Sequence, residues 1–125
     1  MDRQTSPSVI FSVCRNGYAD SELHKAACRK LYNMGIPYRV LRGCYMGVEE
    51  PSILVNAKYI EIAELLAEQH SQESILTFDQ FYNVTVKALS GLEYKTGRLQ
   101  PVASLPANCQ NWTLDEEVNQ YWIVR

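Results

Sequence analysis

Two stretches with helical periodicity, each followed by strand-like runs, constrain the fold of this chain more than any other feature. In the first, Leu23, Ala26, Ala27, Leu31 and Met34 share one face. In the second, Tyr59, Ile62, Ala63 and Leu66 recur at i, i+3, i+4, i+7. Asp20 or Ser21 can cap the first helix and Asn56 the second. Gly35 followed by Pro37 stops the first.

Strand-like runs surround these helices. Val9 to Cys14 is short, apolar and rich in β-branched and aromatic residues, which predicts a buried strand ended by Asn16-Gly17. Tyr38 to Met46 and Ser52 to Val55 read as two further strands around a Gly-Val-Glu-Glu-Pro turn. After the second helix, Leu76, Phe78, Tyr82, Val84 and Val86 alternate with polar residues, the pattern of one long half-buried strand. Gln80 and Phe81 are its exceptions. A turn at Lys95-Thr96-Gly97-Arg98 and an apolar segment from Tyr121 to Val124 add strands at the C-terminal end.

The order strand-helix-strand-strand-helix-strand predicts an α+β fold. It is the ferredoxin-like split β-α-β arrangement (βαββαβ), an antiparallel sheet with both helices on one face and extra C-terminal strands. With 125 residues the chain reads as a single domain, 1–125. Two helices cover only one sheet face, so a partner subunit is expected on the other.

Bulk properties exclude several functions. The net charge is -2 and the basic residues are scattered, so neither nucleic acid nor an anionic membrane is an expected partner. No segment approaches the roughly 20 apolar residues of a membrane-spanning helix. Met1 to Ser8 is polar and lacks the apolar region of a secretory signal, which predicts a cytoplasmic protein. Cys14, Cys28, Cys44 and Cys109 form no C-x-x-C pair, and His24 and His70 fall on separate helices. Reduced thiols, and no metal or cofactor, are expected.

Polar chemistry concentrates in Arg42-Gly43-Cys44-Tyr45-Met46-Gly47-Val48-Glu49-Glu50. Tyr45 and the two glutamates can be plain packing and a solvated turn, or a small site for a cation. A carboxylate holds an ammonium by a charge-assisted hydrogen bond, and a tyrosine ring can face a cation. Gly43 and Gly47 allow close backbone approach. Arg15 and Asn16, after the first strand, are an exposed turn or a ligand site at a strand end. His24 reads as a helix-surface residue, and Ser12 and Cys14 have no nearby base to activate them. No phosphate-cradling glycine motif is present. Asp115-Glu116-Glu117 reads as a solvated hairpin tip.

Three pieces, in order, resemble the small bacteriophage enzymes that degrade S-adenosylmethionine, the SAM lyases formerly called SAM hydrolases. They are Ser12-x-x-Arg15 at the end of the first strand, then Gly43-Cys44-Tyr45 followed by Glu49-Glu50, and finally Trp112-Thr113-Leu114-Asp115-Glu116 with Trp122-x-Val124. The pieces cover about a third of the chain. Only three residues separate Tyr45 from the glutamate pair, a shorter loop than the family pattern, which leaves both Glu49 and Glu50 as candidates; Glu50, second in the pair, is favoured.

The resemblance implies a ferredoxin-like homotrimer with active sites between subunits. It also implies an S-adenosylmethionine lyase: the substrate's own carboxylate attacks its γ-carbon, giving 5′-methylthioadenosine and L-homoserine lactone. Tyr45 and Glu50 would be the catalytic residues, with Ser12, Cys14, Arg15 and Glu49 binding substrate. In the hydrolase variant, Glu50 would activate water. A phage anti-restriction role in the host cytoplasm would follow. The alternative is a non-catalytic, trimeric nucleotide-binding protein resembling PII signalling proteins, which share the expected fold but carry a longer loop in place of Met46 to Pro51.

Overall fold

The computed structural model describes residues 6–125; Met1 to Thr5, part of the polar N-terminus, lie outside the described residues. The chain forms β1 (Ser8–Phe11), α1 (Ser21–Asn33), β2 (Arg39–Tyr45), β3 (Val48–Asn56), α2 (Ile60–Gln69), β4 (Ser74–Phe78), β5 (Asn83–Ala88), β6 (Glu93–Val102), β7 (Trp112–Asp115) and β8 (Gln120–Val124). Short 3-10 turns, Gly17–Asp20 and Ala57–Tyr59, lead into the two helices.

The strands close into an eight-stranded barrel in the order β1-β3-β2-β7-β8-β6-β5-β4, with every pairing antiparallel. This corrects the expected ferredoxin-like open sheet. The C-terminal strands are not additions to one edge. They run from β2 back to β4 and leave no open edge, which removes the exposed backbone groups that an open sheet must protect. The sheet face thought to need a partner subunit lies inside the barrel. The PII-like alternative loses its basis for the same reason, since it rested on the open sheet.

Side-chain alternation along each strand separates two cores. Val9, Phe11, Ile53, Val55 and Ile75 face outward and pack under Ala27, Leu31, Ala63, Leu66 and Ala67 of the helices. Ile10, Leu41, Leu54, Phe78, Val84, Leu99 and Trp122 fill the barrel. Inside it Tyr82 stacks between Phe78 and Trp122, with ring centroids at 5.8 and 5.3 Å.

Several local expectations change for identifiable reasons. The long strand expected over 76–87 breaks at Asp79–Tyr82. There the Asp79 carboxylate accepts the backbone N–H groups of Phe81 (2.8 Å) and Asn83 (3.0 Å), and Tyr82 takes φ +65°. Residues 95–98 lie within β6 rather than in a turn; Gly97, at φ +144°, stands against the carbonyl of Arg125. Gly35 stops α1 as expected, at φ +72°, with Ile36 N–H donating back to the Leu31 carbonyl at 3.0 Å. Asn56 does accept the Lys58 N–H at 3.0 Å. Asp20, however, turns away from α1 and accepts the N–H groups of Arg15 (3.0 Å) and Asn16 (2.9 Å). His24 is buried against the sheet rather than on the surface, and burial holds its pKa below the ordinary value.

The turn over Gly17–Asp20 presses on β3. Gly17 has φ +59°, and a Cβ there would come within 2.7 Å of the Glu49 carbonyl oxygen. Gly17→Ala is therefore expected to cost about 2 kcal/mol or more, from left-handed strain plus displacement of backbone. A lower denaturant midpoint at unchanged slope is the expected result.

Candidate active site

The β2–β3 hairpin decides where its polar residues go. Met46 (φ +51°) and Gly47 (φ +84°) make a two-residue turn with both φ values positive, which matches the twist of the paired strands. Its tip is held by Met46 N–H donating to the Asn111 side chain and Gly47 N–H donating to the Gln110 carbonyl, both at 3.0 Å. The strand after the turn therefore begins at Val48, and Glu49 and Glu50 lie in β3 rather than in a loop.

Adjacent strand residues point to opposite faces, so the two glutamates part company. Glu49 turns outward, where its carboxylate receives Arg42 Nη2 at 2.6 Å and Nε at 2.8 Å. Glu50 shares the inward row with Ser52 and Leu54. Register sets Glu50 opposite Gly43, and Gly43 opposite Thr113 on β7. Tyr45 continues the inward row of β2 to the rim, opposite Val48, and is 66% exposed. One end of the barrel is thus a polar mouth over an apolar filling.

Glu50 is half-buried, and its pKa is raised from 4.5 by burial, a shift partly offset by a hydrogen bond from Ser12. The Ser12 hydroxyl is itself buried; it accepts the Cys14 N–H at 3.0 Å and lies 3.2 Å from the Pro51 carbonyl. Its single proton has two acceptors to choose from, that carbonyl and the Glu50 carboxylate. Ser12, Glu50 and Tyr45 are accordingly brought to the same end of the barrel.

The other predicted site residues go elsewhere. Cys14 packs in the helix-side core, where its thiol donates to the Asp20 carbonyl at 3.5 Å. Burial first, then the neighbouring Glu50 charge, push that thiol up to about 11, so it stays protonated. The Arg15 side chain is exposed. Glu49 is occupied by Arg42.

Sequence reasoning missed two features of the barrel interior. Ser52 stands one step deeper than Glu50, and its only signal was a polar residue in an otherwise apolar strand. Asp115, read as a hairpin tip, is fully buried and paired with Arg39 at 2.8 Å.

A cleft of about 600 Å³ lies on another wall, bordered by Thr77, Asp79, Lys95 and Arg98, and no residue of the polar mouth lines it. The mouth is the candidate site: a half-buried carboxylate, small residues around it and an aromatic ring on the rim suit an organic cation.

Residues 9–125 match the family model described as the S-Adenosylmethionine lyase family. No curated protein matches the chain.

Proposed function

The chain belongs to the S-adenosylmethionine lyase family, and from that premise we propose that it cleaves S-adenosylmethionine to 5′-methylthioadenosine and L-homoserine lactone. The observation that carries this reading is the separation of the glutamates: Glu50 alone faces the barrel mouth, half-buried and next to Ser12. A carboxylate there can take the substrate ammonium, leaving the substrate carboxylate free.

That carboxylate then attacks the γ-carbon of its own methionine chain. A C–O bond forms, the C–S bond breaks, its electron pair returns to sulfur, and neutral methylthioadenosine departs. No proton has to be removed. The protein contributes geometry, because folding the methionine chain back on itself converts binding into proximity. Tyr45, on the rim, offers its ring or hydroxyl to the sulfonium end. Positive and negative charge annihilate in this step, so a mouth sheltered from water favours the transition state. In the hydrolase variant water is the nucleophile and Glu50 its base; the family's description as a lyase favours internal attack.

We place this activity in a homotrimer with sites between subunits. Support comes from the rim, where Tyr45, Met46 and Val48 are all exposed, so a second copy would wall a mouth that is shallow in one chain. Depletion of S-adenosylmethionine in a host cytoplasm would disarm restriction systems that need it, the anti-restriction role proposed for a phage-encoded enzyme.

The test is prompt chromatography of products after incubation with S-adenosylmethionine. Methylthioadenosine with homoserine lactone supports the proposal. Homoserine from the earliest time point assigns the attack to water, and unchanged substrate rejects the enzyme.

A pH prediction follows from the site. Glu50 must be ionised to hold an ammonium, and its pKa lies above 4.5. Activity is expected to fall as pH drops through that raised value, as an acid limb in kcat/KM. Ser12→Ala removes the hydrogen bond that opposes the rise, so its limb should move to higher pH. A limb that stays in place would separate Ser12 from Glu50.

A further inference from the structure

We infer that Ser52 is a substrate-positioning residue, its hydroxyl donating to the α-carboxylate of the substrate. This rests on the proposed function, in which Glu50 takes the ammonium of the same amino acid group.

The observation is an orphaned hydroxyl in the right place. Ser52 is 6% exposed, and its Oγ has no hydrogen-bond partner among the described residues. Burying a hydroxyl without a partner is unfavourable, so a chain gains by losing it unless something else uses it. Ser12, just beyond the Phe11–Ile53 pair at the end of β1, already meets the Cys14 N–H, the Pro51 carbonyl and Glu50. Ser52 is the donor left over.

The surroundings leave room beside it. Ser52 opposes Leu41, one step below the Glu50–Gly43 pair on the inward row. A Cβ placed on Gly43 would lie 3.6 Å from Ser52 Oγ and 3.7 Å from the Glu50 carbonyl oxygen. The missing side chain of Gly43 thus leaves room of about methyl size between the hydroxyl and the Glu50 backbone.

The chemistry of the ligand follows from that spacing. In an α-amino acid the carboxylate and the ammonium are borne on one carbon. With the ammonium on Glu50, the carboxylate falls to the next polar group along the row, which is Ser52. A serine hydroxyl donating to a carboxylate is a charge-assisted bond. Here it would hold the oxygen that does not attack, the one that becomes the lactone carbonyl, and turn the other toward the γ-carbon. The bond is made in the bound substrate already, so its loss weakens binding more than it slows chemistry.

Two unreactive probes test this. S-adenosylhomocysteine keeps the amino acid end but has a thioether in place of the sulfonium; decarboxylated S-adenosylmethionine keeps the sulfonium and the amine and lacks the carboxylate. By titration calorimetry, Ser52→Ala should weaken the first by about 10- to 100-fold and leave the second within about twofold. KM for S-adenosylmethionine should rise in step while kcat changes little. The melting temperature of the free variant should hold or rise, because the orphan is gone. Gly43→Ala, which fits in ordinary van der Waals contact, fills that room and should show the same selectivity with the hydroxyl intact.

Equal weakening of both probes, or a lower melting temperature with unchanged affinity for S-adenosylhomocysteine, makes Ser52 merely structural and overturns the inference. Normal turnover by Ser52→Ala at unchanged KM overturns it while the lyase stands. A wild-type protein that neither binds S-adenosylhomocysteine nor consumes S-adenosylmethionine defeats the proposed function itself, and the role of Ser52 falls with it.

Discussion

Replacing Glu50 by glutamine is expected to cut turnover of S-adenosylmethionine severely and, at the same time, to raise the melting temperature. Both effects come from one fact, the burial of a carboxylate at the barrel mouth. Removing one charge of a desolvated ion pair costs about 2 to 5 kcal/mol of binding, or roughly 30- to 5,000-fold. The glutamine keeps the shape but cannot match an ammonium. The loss should be read as kcat/KM, with products separated by chromatography.

The stability effect has the opposite sign. Burial raises the folded-state pKa of Glu50 above its ordinary 4.5. Its contribution to stability is then fully present below the unfolded pKa and is lost as pH rises through the folded one. At neutral pH the fold holds an ion it would rather see protonated, and glutamine relieves that. Glu49→Gln is the control: its partner Arg42 lies on the outer face, so turnover should change little. An unimpaired Glu50→Gln enzyme would sink the assignment, and an inactive variant of lower stability would reduce Glu50 to a structural part.

The same residues show how much of the molecule could be read from its sequence. Both helices and β1 to β3 were legible, because local signals place them: the stripe ending at Leu31, the stop at Gly35, the β-branched run from Val9. The family was legible as well. What escaped depended on partners distant in the chain. Strands at the C-terminal end could be anticipated, but closure requires knowing that β7 pairs with β2 and β8 with β6. Alternation hid the break in the strand after α2, since apolar residues keep their period across Asp79–Tyr82. Asp79 and Asn83, both turn-forming residues, were the signal there. The hairpin turns on Met46 at φ +51°, a residue that does not advertise a turn. One misplaced turn was enough to put Glu49 and Glu50 in a loop, where the alternation that separates them cannot be seen.

At the far end of the barrel, Arg39→Met is expected to destabilise the protein by about 3 kcal/mol, the lower end for removing one partner of a buried ion pair. Arg39 and Asp115 point inward from β2 and β7; Arg39 Nη2 lies 2.8 and 2.9 Å from the two Asp115 carboxylate oxygens, and Asp115 is fully buried. Nη2 also reaches Glu117 at 2.7 Å, but that carboxylate is 72% exposed and adds little. Methionine keeps the stem of Arg39 and removes its charge, so Asp115 stays buried without its guanidinium. The loss is therefore the cost of taking one partner from a buried ion rather than the value of the pair. Asp115→Asn in the Arg39→Met background takes away the buried charge while retaining polar atoms of nearly the same shape. The double variant should recover much of the deficit, measured as denaturant midpoints at pH 7, and the two substitutions should be strongly non-additive. Additive losses would mean that the pair is not coupled in solution. Because β7 also carries Thr113 opposite Gly43, the same ion pair fixes the strand that borders the polar mouth, and a loosened Arg39→Met barrel should bind substrate more weakly even where it remains folded.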